Sequence, residues 1–272
     1  MLKLIAAILM LADHIGFYFY DLLPDPLTLL LRTAGRLAFP VFAWLVARGF
    51  TRTRHPLAYF IRMTIFAGLS EVIIRYGHHL VGLQLDGTNV LITFALALVM
   101  LSGYRLASHS YFDMIASLKP VSPSLGAPDL RYDVRINPGG IDLDPKIGLP
   151  IGIIMMLIAA GAALILKPDY GLYGLLAVLL FHVVIDRYDE SVHLKRSVQG
   201  FIVLNAFFLV VRIFFLDWPV DWAVLQCFAV IALPVCFRLD HDRRPGRFQQ
   251  YFFYLFYPIH IFLLCLIRLL IG

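Results

Sequence analysis

Long apolar runs separated by short polar connections constrain the fold of this chain more than any other feature. The runs cover residues 2–20, 27–50, 57–76, 89–107, 147–167, 171–187, 198–216, 221–238 and 250–271. Apolar segments of about 20 residues cross a bilayer as helices, and the alternating pattern of barrel strands is absent. We therefore predict an all-α polytopic membrane protein, a bundle of about nine transmembrane helices forming a single domain over residues 1–272.

Composition and charge agree with a membrane protein and exclude other classes. The chain is 60% hydrophobic and only 15% charged, whereas a soluble domain carries about 25% charged residues. The net charge of +5 comes mostly from basic residues in short connections, which indicates membrane orientation rather than nucleic-acid binding. The three cysteines lie in apolar runs without metal-site spacing, so we expect no metal.

The distribution of lysine and arginine predicts the orientation, because cytoplasmic connections collect these residues. Arg48, Arg52 and Arg54 lie at and just after the end of the second run, and basic residues return in every second connection after it. The N-terminus is then cytoplasmic and the C-terminus lies outside. The first run is expected to be retained, since no signal-peptide cleavage site follows it. The polar segment 108–146, rich in proline, is predicted to be a long, partly ordered cytoplasmic loop.

Several charged residues lie inside the predicted helices, where insertion costs roughly 2.5–3.5 kcal/mol each, so they are functional candidates. The predicted topology places His14, Arg36, Glu71 and Asn89 towards the outer side. Arg32 and Arg36 are four residues apart and share a helix face, so each needs a carboxylate or an anionic ligand. Asp13 and Glu71 are the carboxylates available to them. Arg62 falls towards the cytoplasmic side.

Structural alternatives stay open for these residues. Asp13 and Arg36 can form an ion pair between helices with no ligand, and His14 can be a satisfied core histidine. Asp13 and His14 are adjacent, so they point about 100° apart and cannot share one helix face. In the last run, Tyr257 and His260 flank Pro258, which either bends the helix or frees a carbonyl beside a binding site.

The sequence resembles the TraX family along its whole length. The similar segments are "KLIAAILMLADHIG", "RTAGRLAFPVFAWLVARGFTRTRHPLAYFIRMTIFAGLSE", "NVLITFALAL", "DYGLYGLL" and "FQQYFFYLFYPIHIFLL". The family includes the enzyme associated with N-terminal acetylation of conjugative pilin, and it looks related to integral-membrane acyltransferases. Those move an acyl group from cytoplasmic acyl-CoA to an acceptor on the far side. The segment 108–146 looks longer than the family's usual connection.

The resemblance implies an acetyltransferase of the bacterial inner membrane that takes its acetyl group from acetyl-CoA. It implies that His14 is the catalytic centre and that Arg36, Tyr257 and His260 belong to conserved family elements. On this interpretation His14 is the general base, oriented by Asp13 or Glu71, and Arg36 and Asn89 stabilise the oxyanion. Arg62 would hold the donor's phosphates, and Arg32, Tyr257 and His260 would also bind substrate or cofactor.

The acceptor and even the functional class remain open at this stage. A pilin N-terminus is the expected acceptor, and a sugar hydroxyl of the cell envelope is the alternative. Buried Asp, His and Arg residues also line ion paths, so a transporter of ions or small molecules is a hypothesis from a different class. A non-catalytic scaffold for pilus assembly is a third.

Overall fold

The computed structural model describes residues 2–84, 86–118, 143–215, 220–239 and 246–271. These residues form helices and no strand. The α-helices are α1 (Leu2–Tyr18), α2 (Asp25–Arg36), α3 (Ala38–Arg52), α4 (Pro56–Leu80), α5 (Val90–Leu118), α6 (Pro145–Leu166), α7 (Gly171–Arg187), α8 (His193–Phe215), α9 (Val220–Leu225), α10 (Ala232–Leu239) and α11 (Arg247–Ile271). Short 3₁₀ helices cover Glu190–Val192 and Gln226–Ile231.

Six helical segments of the described chain are long and apolar enough to cross a membrane. Four of them are the single helices α4, α5, α6 and α11. The other two are α2 and α3 taken together, and α8 taken together with the 3₁₀ helix before it. This confirms a multi-pass, all-helical membrane protein. The other three predicted runs form shorter elements: α1 and α7 have 17 residues each, and the run before α11 is divided into α9, a 3₁₀ helix and α10.

Two differences from the sequence-based boundaries matter most, an interruption of the second run and an extension of α5. The second run is interrupted at Leu37, between α2 and α3. Pro40 accounts for the interruption, because it has no N–H to donate to the carbonyl of Arg36. At the other difference, α5 continues through residues 108–118 of the predicted loop. Residues 119–142 of that loop lie outside the described residues.

Contacts with α7 explain why α5 extends beyond its apolar run. The guanidinium of Arg187 donates hydrogen bonds to the hydroxyls of Tyr104 and Ser108. It also lies over the ring of Phe112, 4.6 Å from the centroid. Polar residues in this part of α5 therefore contact another helix, and the polarity that indicated a loop reflects these tertiary contacts.

The core lies around α3, α5 and α7, whereas other helices present apolar faces to the surroundings. Phe50 of α3, Leu98 of α5 and Phe181 of α7 are almost fully buried. On α6, Leu157 and Ile165 are 65% and 80% exposed. Apolar surface of this extent is unstable in water and is suited to contact with lipid chains.

Helices α1, α4 and α11 run side by side in the same direction and position the candidate site. At one end, Arg268 of α11 donates to both carboxylate oxygens of Asp21, just after α1. At the opposite end, Lys3 of α1 lies 5.5 Å from the ring centroid of Phe253, and Arg62 of α4 lies over the ring of Tyr254. Residues of these three helices therefore meet at both ends and between them.

Candidate active site

Two histidines from opposite ends of the sequence meet between α1 and α11. Nε2 of His260 lies 2.9 Å from Nδ1 of His14, and the two are 246 residues apart. Nδ1 of His260 lies 2.7 Å from the carbonyl oxygen of Phe256, one turn earlier in α11. The structure thus joins two of the residues that the sequence singled out.

The hydrogen bonds assign the protons of the neutral pair. A carbonyl oxygen only accepts, so Nδ1 of His260 carries a proton and donates it to Phe256. Nε2 of His260 is then the acceptor, and Nδ1 of His14 must be the donor. The tautomer of each ring is thus assigned from its hydrogen-bond partners. It leaves Nε2 of His14 with a lone pair that can accept a proton.

Aromatic side chains surround His14. The ring centroids of Tyr18 and Tyr257 lie 6.3 Å and 6.4 Å from that of His14. Both tyrosines are buried, and the hydroxyl of Tyr18 is hydrogen-bonded to Nε2 of His78. Tyr257 is thus a neighbour of His14, and the polar side chains nearby also include Tyr18 of α1 and His78 of α4.

Asp13 is held by both arginines of α2. Its Oδ1 accepts from Nη1 of Arg32 at 2.8 Å and from Nη2 of Arg36 at 3.1 Å, and its Oδ2 accepts from Nη2 of Arg36 at 3.2 Å. The ion pair between Asp13 and Arg36, which the sequence left open as one alternative, is present. Asp13 therefore joins α1 to α2, while the His14 ring is hydrogen-bonded to His260. The positive charges of Arg32 and Arg36 also act on His14.

Gly35 allows this ion-pair cluster to form. A Cβ at this position would collide with the Cβ, Cγ and Oδ1 atoms of Asp13. The absence of a side chain lets α2 approach α1 closely enough for both arginines to reach one carboxylate. The sequence element "AGR" at residues 34–36 thus combines a close helix contact with a charged residue.

Glu71 and Asn89 form a separate cluster that joins α4 to α5. Oε2 of Glu71 accepts from the backbone N–H of Asn89 at 2.9 Å and from its side-chain amide at 2.8 Å. The amide of Asn89 also donates to the carbonyl of Ala67, and its Oδ1 accepts from the N–H of Leu91. Nε of Arg75 donates to Oε1 of Glu71 at 2.6 Å. The polar atoms of both predicted site residues are thus used in joining two helices.

Arg62 lies at the other end of the same helices, away from the histidine pair. Its guanidinium lies 5.4 Å and 5.9 Å from the ring centroids of Tyr59 and Tyr254. The charge of Lys3 is close enough to interact with it. Lys3 was not selected from the sequence, because a lysine at the start of a membrane helix usually indicates orientation alone.

The turn between α6 and α7 carries a further residue that sequence analysis missed. Asp169 is exposed, yet the charges of Arg36, Asp13, Glu71 and Arg32 all act on it. Although the residue as a whole is exposed, protein atoms crowd its carboxyl and partly desolvate it. This desolvation raises the pKa of the carboxyl to about 6, and the charge of Arg36 opposes that shift. The sequence analysis selected charged residues inside predicted membrane helices. Asp169 lies between two apolar runs, so that criterion did not select it. The segment "DYGLYGLL", similar to the TraX family, was the signal available.

The sequence model of the TraX protein family matches residues 1–268. The chain belongs to the TraX family. It is also 25% identical to a probable fimbrial assembly protein, FimC of serogroup H1, from Dichelobacter nodosus, across 97% of this chain and 93% of that protein. No solved structure matches the chain.

Proposed function

We propose that this TraX protein is an acetyltransferase that uses acetyl-CoA from the cytoplasm to acetylate an acceptor outside the bacterial inner membrane. The expected acceptor is the N-terminus of a pilin subunit. The family is associated with pilin acetylation, and the relative from Dichelobacter nodosus is named for fimbrial assembly. The hydrogen-bonded pair of His14 and His260 is the observation that carries the proposal.

In the proposed reaction, Nε2 of His14 accepts a proton from the acceptor as it attacks the thioester carbonyl. The bond from His14 to His260 fixes the tautomer and the ring orientation, and it shares the charge that forms. The tetrahedral oxyanion then collapses, the C–S bond breaks, and His14 returns the proton to the thiolate of CoA. Arg36 has N–H groups beyond the Nη2 used by Asp13, and these are suited to stabilise the oxyanion.

The donor is proposed to enter from the end of the bundle that holds Arg62. Helices α1, α4 and α11 all begin at this end, and helix N-termini carry positive partial charge that favours phosphates. Lys3 and Arg62 add two positive charges there. Lys3 precedes His14 by eleven residues of α1, so roughly 16 Å of helix separates the two. A donor with its anionic end near Arg62 and its thioester near His14 would extend along that distance.

The proposed topology gives the two substrates separate entrances. We propose nine membrane crossings, counting α1, α7 and the divided segment from α9 to α10 with the six long segments. The N-terminus is then cytoplasmic and the C-terminus outside. The donor end with Arg62 faces the cytoplasm, and the turn with Asp169 faces outward.

Replacement of His14 tests the proposal. Purified His14→Ala protein in liposomes should lose about 10²- to 10⁴-fold in acetyl transfer, the usual contribution of a general base. It should still bind acetyl-CoA, detected as a rise in melting temperature, because a ligand stabilises the state that binds it. His79→Ala is a matched control, since His79 is an exposed histidine at the end of α4. Full transfer by a folded His14→Ala protein would contradict the proposal.

A further inference from the structure

A proline interrupts the hydrogen bonding of α11 between the proposed donor end and the histidine pair. Pro258 lies inside the helix and is buried. It has no N–H to donate to the carbonyl of Tyr254, one turn earlier in the helix. A carbonyl released inside a membrane helix is unfavourable unless another group donates to it. The carbonyl of Tyr254 is therefore a hydrogen-bond acceptor available to another group.

A serine of α4 has an unused hydroxyl. The side chain of Ser70 is buried, at 0% exposure, and its hydroxyl makes no hydrogen bond with any residue that the structure describes. Serine hydroxyls inside helices often donate to the carbonyl four residues earlier, as Ser102 does in α5. A buried polar group without a partner is uncommon in folded proteins, so the hydroxyl of Ser70 needs a physical explanation.

Neighbouring contacts show that Ser70 faces α11. Phe66, one turn before it, stacks on the ring of Tyr254 with the centroids 4.8 Å apart. Gly77, two turns after it on the same face, lies so close to α11 that a Cβ there would be 3.3 Å from the ring of Phe262. Tyr254 and Phe262 are one turn before and one turn after the proline of α11. The serine and the proline therefore lie in one layer of the seam between α4 and α11.

This layer lies in the middle of the path proposed for the donor. Arg62 precedes Ser70 by eight residues of α4, which is about 12 Å of helix. In the other direction, His260 follows Pro258 by two residues of α11. A free acceptor on α11 and a free donor on α4 thus lie between the proposed phosphate end and the histidine pair.

A secondary amide is a group that satisfies both helices at once. The N–H and the C=O of a trans amide point to opposite sides of its backbone. An amide that lies between two facing helices can therefore donate to a carbonyl of one and accept from a hydroxyl of the other. Acetyl-CoA carries two amides in the flexible arm that joins its phosphates to its thioester. A small donor such as acetyl phosphate carries none.

We propose that Ser70 and the carbonyl of Tyr254 form a subsite for an amide of the donor's arm. This inference rests on the proposed acetyl transfer and specifies how the donor is positioned. The hydroxyl of Ser70 donates to the amide oxygen, and the carbonyl of Tyr254 accepts the amide N–H. The stacked rings of Phe66 and Tyr254 separate to admit the arm. With the amide held in this layer, the thioester lies at the level of His260.

The test compares two acetyl donors, S-acetylpantetheine, which has both amides, and S-ethyl thioacetate, which has none. In Ser70→Ala protein in liposomes, kcat/KM for S-acetylpantetheine should fall about threefold to tenfold, mainly through KM, the effect of losing one neutral hydrogen bond. With S-ethyl thioacetate the variant should match wild type, because no amide contact is lost. Pro258→Ala restores an N–H for the carbonyl of Tyr254 and should give the same amide-dependent loss.

Thermal unfolding distinguishes a donor subsite from a structural hydrogen bond. Ser70→Ala removes a buried hydroxyl that has no partner, so the melting temperature without donor should stay the same or rise. Acetyl-CoA should then raise the melting temperature of the variant less than that of wild type. Ser197→Ala is the matched control, since Ser197 of α8 is also fully buried and its hydroxyl has no hydrogen bond among the described residues. It should behave as wild type in each assay.

The outcomes separate this inference from the function on which it rests. Unchanged kcat/KM for S-acetylpantetheine in folded Ser70→Ala protein, or an equal loss with both donors, would overturn the subsite and leave acetyl transfer standing. A lowered melting temperature with unchanged kinetics would also overturn it, and would indicate that a buried water joins Ser70 to the backbone. If wild type transfers no acetyl group from acetyl-CoA or from S-acetylpantetheine, the proposed function is contradicted together with the subsite.

Discussion

At the scale of single residues, the structure separates groups that are close in the sequence. His14 and Asp13 are neighbours in α1, yet His14 bonds to His260 of α11 and Asp13 bonds to the arginines of α2. The helical offset of about 100° predicted that they would face different partners. Their partners could not be predicted, because a contact across 246 residues leaves no trace in one sequence.

Gly35 gives a prediction at this scale. Gly35→Ala should destabilise the protein by about 1–3 kcal/mol, because the added Cβ collides with Asp13 and overpacking costs energy of that order. Two arginines hold Asp13, so it cannot move away freely. Thermal unfolding in detergent measures the effect, and Gly68→Ala is the control, since a Cβ there meets no atom within 4 Å.

A double substitution then isolates the contact between Gly35 and Asp13. In an Asp13→Gly background, Gly35→Ala should cost much less, because the colliding Cβ, Cγ and Oδ1 atoms are all gone. Strong non-additivity of this kind is expected for residues in direct contact. Equal costs in both backgrounds would show that Gly35 acts through some other contact.

At the scale of helices, Asn89 illustrates a residue whose role the sequence could not settle. A buried asparagine at the start of a membrane helix is suited either to an oxyanion site or to a helix cap. The structure shows its amide donating to Glu71 and to Ala67, and its carbonyl capping α5 at Leu91. We therefore expect it to stabilise the joint between α4 and α5.

Asn89→Ala should lower the free energy of unfolding by about 1–3 kcal/mol, since it leaves buried polar groups without partners. The kcat of the folded fraction should stay close to that of wild type. Thermal unfolding and the acetyl-transfer assay together make the measurement, with Gln84→Ala, an exposed amide of the same loop, as control. A large loss of kcat with an unchanged melting temperature would favour the catalytic role instead.

The sequence predicted helices better than it predicted their boundaries. Hydropathy located all nine runs, because an apolar segment in a bilayer must be helical to satisfy its backbone. It missed the interruption at Leu37 and the extension of α5 to Leu118. The first depends on one proline, and the second on contacts of Tyr104 and Phe112 with Arg187. Asp169 was missed for a related reason, since the charges that act on it come from other helices.

At the scale of the whole molecule, the arrangement separates the proposed donor and acceptor chemistry along one axis. Arg62 and Lys3 lie at the end where α1, α4 and α11 begin, and the Asp169 turn contacts the loop that follows α4. The histidine pair lies between these ends. A protein that transfers an acyl group across a membrane needs this order, because its two substrates approach from opposite sides.

Chemical labelling tests the orientation on which this separation depends. Asp86→Cys and Lys195→Cys place single reactive thiols at exposed positions, in a background where Cys227, Cys236 and Cys265 are replaced by alanine. With an impermeant maleimide added to cells whose outer membrane is permeabilised, Asp86→Cys should react. Lys195→Cys should react only after the inner membrane is disrupted. The reverse pattern would invert the topology and place the end with Arg62 outside, away from cytoplasmic acetyl-CoA, which would contradict the proposed donor entrance.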